Sequence, residues 1–130
     1  EAKDKYEAIE IVGNLLLKEG KVEPSYIDAM KAREDMLSTY IGNGVAIPHG
    51  VGDAKNLIIE SGIALAQFPK GVDFGDGNTA YIVIGIAGKD NEHLDILANI
   101  AMICEEKSHV EKMIEAKSAK EIYDLIHGGN

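Results

Sequence analysis

The segment Gly44-Val45-Ala46-Ile47-Pro48-His49-Gly50 holds the residue best placed to do chemistry. His49 follows a short apolar run that reads as a buried strand, with proline before it and glycine after it. Pro48 fixes φ and removes a donor, and Gly50 leaves the backbone free to turn away. The imidazole then projects from the end of a sheet, where open α/β folds place ligands. From spacing alone, a histidine held in a tight turn for structural reasons reads equally well.

Arg33 is the only arginine in the chain. On its helix Tyr26, Met30, Arg33 and Leu37 fall within ~60° of one another at 100° per residue, so the guanidinium sits on the apolar stripe. Lys31, Glu34 and Asp35 are expected to point elsewhere. A permanently charged planar donor in that place suits phosphate or carboxylate. A structural salt bridge, or an aliphatic stem packed with its head in water, is the alternative. His93 lies in the first turn of a later helix. The N-terminal field disfavours imidazolium there, so a neutral His93 could donate to a phosphate oxygen or orient a second imidazole. An ordinary surface or capping histidine would occupy the same place. Two histidines and an arginine at element ends suit phosphoryl transfer, in which imidazole is a competent acceptor and the rest is positioning and charge neutralisation.

Other chemistries fit less well. Zinc could be held by His49, His93 and a carboxylate such as Asp95, but no H-x-x-x-H or C-x-x-C supports it. Cys104 stands eleven residues after His93, a rise of ~16 Å, too far to share a metal. It shares a stripe with Leu97 and Ile100 and reads as a core thiol. There is no G-x-x-x-x-G-K-[ST] loop, Gly42-Asn43-Gly44 fails as G-x-G-x-x-G, and Asp73-Phe74-Gly75 lacks every other kinase element. His109 and His127 sit on short polar segments and read as exposed.

The elements that must position these residues follow from periodicity. Residues 6–19 form an amphipathic helix stopped by Gly20. A second helix follows Pro24, with Ser25 and Asp28 spaced as a capping box, and runs to about Leu37. Gly42-Asn43-Gly44 is a turn before the strand Val45-Ala46-Ile47. Leu57–Gln67 reads as a strand bent at Ser61-Gly62, residues 75–78 as a turn, and Tyr81–Ala87 as a buried strand. Asp90 or Asn91 can cap a helix over 93–106. Two short helices close the chain, at 108–116 capped by Ser108 and at 118–127 capped by Ser118. This order implies a single-domain α/β sandwich with a central mixed sheet flanked by helices.

The 130 residues suit one domain, and 45% hydrophobic with 27% charged residues suits an ordinary globular protein. The net charge of −9 repels phosphate backbones and argues against a nucleic-acid partner. A single cysteine and no leader or spanning segment point to the cytoplasm. Because Glu1 is not methionine, the chain reads as trimmed or excised.

Ala32 through Gly50 (AREDMLSTYIGNGVAIPHG) resembles the signature of the mannitol/fructose-type IIA components of the bacterial phosphoenolpyruvate:sugar phosphotransferase system. The similarity extends through Gln67-Phe68-Pro69-Lys70-Gly71-Val72 and Val83-Ile84-Gly85-Ile86-Ala87 to Asn91-Glu92-His93-Leu94, nearly the whole chain. The Q-F-P-K-G-V and N-E-H-L segments look most like the mannitol branch, and the nitrogen-regulatory branch resembles the chain less beyond I-P-H-G. The resemblance implies one domain over 1–130 that lacks a short N-terminal segment. It implies that His49 is phosphorylated, that His93 assists and that Arg33 contacts the phosphate, with no cofactor and no metal. Lysine is commoner where Asp35 stands, a departure that touches none of these roles. The phosphoryl donor would be HPr, the recipient a cysteine of the cognate IIB component, and the IIC permease an indirect partner. The alternative is a regulatory IIA-like domain whose phosphorylation controls a binding partner. In the relay, the second nitrogen of His49 should hold a proton and bond a carbonyl, and the site rim should be shallow and apolar. Interfaces under ~1,200 Å² suit such exchange of partners.

Overall fold

Helix α1, Lys5–Lys18, begins where the Asp4 carboxylate accepts the N–H of Glu7 at 2.9 Å. It ends where Gly20 takes φ +74° and the N–H groups of Gly20 and Lys21 return to the carbonyls of Leu17 and Leu16, a Schellman closure that glycine permits. Helix α2 spans Tyr26–Met36. The expected capping box at Ser25 does not form. Ser25 is itself in a helical conformation (φ −71°, ψ −8°) and makes no side-chain cap bond. The turn Glu23-Pro24-Ser25 starts the helix instead, with Tyr26 N–H donating to Glu23 O at 3.0 Å. A capping hydroxyl needs an extended backbone beneath it, which this turn does not offer.

The computed structural model describes residues 2–50, 56–89 and 92–115. Strands β1 (Tyr40–Gly42) and β2 (Val45–Ala46) form a hairpin closed by Gly42, Asn43 and Gly44, with φ of +99°, +53° and +82°. Such a run of left-handed backbone is the reason for Gly-Asn-Gly. Strand β4, Thr79–Ala87, runs parallel to β2 and antiparallel to β3, Gly62–Asp73, giving a mixed four-stranded sheet in the order β1-β2-β4-β3.

The boundaries of β3 differ from the expected Leu57–Gln67. Leu57 and Ile58 pair with the connector after α1, through a Val22–Ile58 bridge and Glu23 N–H to Leu57 O at 2.7 Å. The strand proper starts at Gly62 and continues through Phe68-Pro69-Lys70-Gly71, with a register irregularity between Gln67 and Val72. Because β3 is an edge strand, proline and a bulge cost no ladder bond on the open side. Helices α3 (Glu92–Glu105) and α4 (Lys107–Glu115) follow. Ser108 lies inside α4 rather than capping it. The expected caps at Asp90 or Asn91, and the helix at 118–127, fall outside the described residues.

Alternation along the strands sorts the core into two layers. Ala46 and Val83 face α1 and α2, packing with Ile9, Val12, Leu16 and Met30. Val45, Ile82, Ile84 and Ile86 face α3 and α4, with Ile100, Cys104, Val110 and Met113. The sandwich expected from the element order is therefore the one observed. Two carboxamides tie α3 and α4 to the sheet. Asn43 Nδ2 donates to the carbonyls of Cys104 (2.9 Å) and Glu105 (3.3 Å), and Gln67 Nε2 donates to Met113 O (3.1 Å) and Ile114 O. Asn43 thereby meets the last carbonyls of α3, which lack partners within it.

Gly85 lets α1 close on β4, since a Cβ there would stand 2.8 Å from Val12 Cγ2 and 2.9 Å from its Cβ. Gly85→Ala should destabilise the fold by about 1–3 kcal/mol in thermal melts. A melting curve identical to wild type would show that α1 has slack against the sheet.

Candidate functional site

The chain leaves β2 at Ala46 and keeps parallel company with β4 for three more residues. Ile86 N–H donates to Pro48 O at 2.9 Å, and His49 bridges to Ile86. This places His49 at the carboxyl ends of two parallel strands, the usual location of ligand sites in α/β sheets. The residue is 8% exposed. Its Nδ1 lies 2.7 Å from the carbonyl oxygen of Ile47. A carbonyl only accepts, so Nδ1 carries the proton, and in the neutral ring Nε2 carries the lone pair.

Tyr26 holds this turn from below. The sequence places it on an apolar stripe, and it is indeed 1% exposed, but its hydroxyl is engaged at both ends. It donates to Ile86 O at 2.8 Å and accepts the Gly50 N–H at 2.9 Å. The strand end and the residue after His49 are thereby fixed to one oxygen. Burial raises the Tyr26 phenol above its ordinary value, opposed by the Gly50 bond, so it stays a neutral donor and acceptor.

Arg33 is half-buried, and its Nη1 donates to Leu37 O at 2.5 Å at the end of its own helix. Among the described residues no carboxylate lies within ion-pair distance of it. Of its stripe companions, Tyr26 and Met30 are core residues, whereas Leu37 is 71% exposed. The expectation for Glu34 is corrected: it points inward at 2% exposure, because its carboxylate finds donors on Thr39. Asp35 is exposed and accepts from the Tyr6 hydroxyl, tying α1 to α2.

His93 is the second residue of α3, in the helix's first turn as expected; its side chain, like that of His109, lies outside the described set, and His127 lies beyond it. Among the described residues no group of three His, Cys, Asp or Glu stands close enough to hold a metal ion. Cys104 is 3% exposed in the α3–α4 layer, the core thiol expected, and burial pushes its thiol up to about 11. No helix among the described residues is long and apolar enough to cross a membrane.

The profile of the family "Phosphoenolpyruvate-dependent sugar phosphotransferase system, EIIA 2" matches residues 1–128. The chain belongs to this family. Among relatives of this EIIA 2 chain, the mannitol-specific phosphotransferase enzyme IIA component of Geobacillus stearothermophilus is 52% identical over 127 residues, covering 98% of this chain and 88% of the relative. The crystal structure of IIA mannitol from Escherichia coli superposes with a TM-score of 0.89 at 37% identity, covering 97% of this chain and 91% of that one. A complex of enzyme IIA mannitol with phosphorylated enzyme IIB mannitol, also from Escherichia coli, gives a TM-score of 0.91 at 36% identity, covering 98% and 90%. The chain thus shares its overall fold with these two Escherichia coli structures.

Sequence reasoning missed Tyr26 and Glu34 as parts of the site's frame. Each is a polar residue at helical spacing from core positions, a pattern that does not reveal its partner. Tyr26→Phe should cost about 1–2 kcal/mol and speed hydrogen exchange at the Gly50 amide. Unchanged exchange would mean that the hydroxyl does not hold the turn. Alkylation of native Cys104 should be slow at pH 8 and keep accelerating beyond pH 10, because the thiolate forms only near its raised value. A plateau near the ordinary value of about 8.5 would contradict its burial.

Proposed function

We propose that this EIIA 2 chain is a phosphoryl carrier for mannitol uptake, accepting phosphate from phospho-HPr on His49 and passing it to a cysteine of the cognate IIB component. The observation that carries the reading is the bond from His49 Nδ1 to Ile47 O, which assigns the lone pair to Nε2. In the first step that pair forms a bond to phosphorus while the phosphorus–nitrogen bond of phospho-HPr breaks and its pair returns to the donor imidazole. In the second step the IIB thiolate attacks phosphorus, and the bonding pair returns to Nε2 of His49. No net proton need cross the Nδ1 bond, so the ring keeps its orientation throughout. The strong identity to a mannitol-specific relative favours this reading over a regulatory one.

Arg33 neutralises the charge on the phosphoryl oxygens; its guanidinium has five donors, of which Nη1 holds Leu37 O. His93, at the N-terminal turn of α3, assists by donating to a phosphoryl oxygen. Exposed Met36 and Leu37, on the segment whose carbonyl Arg33 holds, fit the apolar rim expected of a site that meets two proteins in turn. The acidic surface complements a basic donor face, and added salt should slow transfer.

The test is intact-mass and peptide mapping after incubation with phosphoenolpyruvate, enzyme I and HPr at mildly alkaline pH. One phosphate should appear on the peptide containing His49 and vanish in His49→Ala. Arg33→Lys should slow acceptance, and His93→Ala should accept but donate poorly to a mannitol-type IIB. A folded protein that gains no mass while HPr is phosphorylated would overturn the reading.

A further inference from the structure

Glu34 is the one buried carboxylate among the described residues, at 2% exposure, and the relay described above gives it no part. Its Oε1 accepts two bonds from a single residue, Thr39 N–H at 2.8 Å and Thr39 Oγ1–H at 2.6 Å. Its Oε2 faces Lys5 Nζ at 3.4 Å, a long pairing with a lysine side chain that is 24% exposed. Sinking a carboxylate is costly, and a loose pair with a half-wet lysine offsets little of that cost. An apolar side chain would fill the space between the helices without it. The carboxylate does what an apolar group cannot: it holds both donors of Thr39 at one point.

Two bonds radiate from the segment so held. Thr39 O accepts Ile47 N–H at 3.0 Å, and Ile47 O is the acceptor of His49 Nδ1 at 2.7 Å. Two residues before Thr39, Leu37 O accepts Arg33 Nη1 at 2.5 Å. The carbonyl that orients the imidazole and the carbonyl that anchors the guanidinium therefore hang from one stretch of backbone, and Glu34 pins it. We infer that Glu34 is a positioning residue for phosphoryl transfer, fixing the 37–39 segment and through it the orientation of both His49 and Arg33. The inference rests on His49 being the phosphoryl acceptor. It explains why a buried acid directly follows the functional arginine.

The experiment compares wild type with Glu34→Ala, Glu34→Gln and Phe74→Leu, the last a core change in the turn after β3 that lowers stability away from the site. Acceptance from phospho-HPr gives kcat and KM, and long-range proton–nitrogen NMR gives the His49 tautomer. In Glu34→Ala, kcat should fall about tenfold or more while KM for phospho-HPr stays within about twofold, because geometry rather than docking is lost. The His49 signals should move from one tautomer to a mixture. Glu34→Gln keeps an acceptor on Thr39 and should recover most of the rate, and Phe74→Leu should leave rate and tautomer alone.

A Glu34→Ala protein with wild-type kcat and a single His49 tautomer would overturn the inference. So would a loss no larger than that of a Phe74→Leu protein with matched melting temperature. Should Glu34→Ala fail to fold, Thr39→Val decides: removal of one hydroxyl should slow acceptance about threefold or more and broaden the tautomer population, and wild-type behaviour overturns the inference. If the wild-type protein itself takes no phosphate at His49, the carrier reading fails separately, and the tautomer of Glu34→Ala still decides whether Glu34 orients the ring.

Discussion

The bond between His49 Nδ1 and Ile47 O constrains the structure more than its size suggests. It brings the ring back over the carbonyl two residues before it, while the chain at Pro48 and His49 keeps its parallel pairing with Ile86 of β4. Proline at that place takes a fixed φ and has no N–H that would need an acceptor. The strand before it must be short and fully paired, and β2 is: two residues, hydrogen-bonded to β1 on one side and to β4 on the other. The parallel pairing with β4 then extends to the His49–Ile86 bridge, which puts the ring at the sheet's edge.

The remainder of the fold keeps that edge in place from both faces. On one face α1 lies close to β4 because Gly85 presents no side chain, and α2 sends the Tyr26 hydroxyl through to Gly50 and Ile86. On the other face α3 and α4 pack on the isoleucines of β4, with Asn43 donating to the last carbonyls of α3 and Gln67 to the Met113 and Ile114 carbonyls of α4. The hairpin turn that precedes β2 is thus fixed to the helix whose opposite end bears His93. Polar bonds at the element ends set register, while the apolar layers supply most of the cohesion.

Much of this was legible from residue types. The apolar stripes of α1 and α3, the Gly20 stop and the Gly-Asn-Gly turn are local signals, and each appears where its chemistry demands. I-P-H-G and the lone arginine could be singled out because a histidine after a strand and a cation on a greasy stripe are both uneconomical without a purpose. The misreadings share a cause, since each depended on a partner distant in sequence. Ser25 satisfies the capping pattern, but the Glu23–Ser25 turn takes its place. Leu57 alternates like a strand residue, but its partner is the connector at Glu23 and not the sheet. Glu34 looks like a solvated face residue until Thr39 folds back over it. Periodicity reports which face is apolar, and it is silent on which polar residue will be met there.

Phosphoryl transfer through His49 depends on which imidazole nitrogen does the chemistry. The most direct measurement is phosphorus and nitrogen NMR of the phosphorylated, nitrogen-15-labelled protein, which distinguishes the two phosphohistidine isomers. Phosphate on Nε2, with Nδ1 still protonated, is the result that the Ile47 bond requires. Phosphate on Nδ1 would mean that the bond breaks before reaction, and the ring's orientation would then not be what prepares His49.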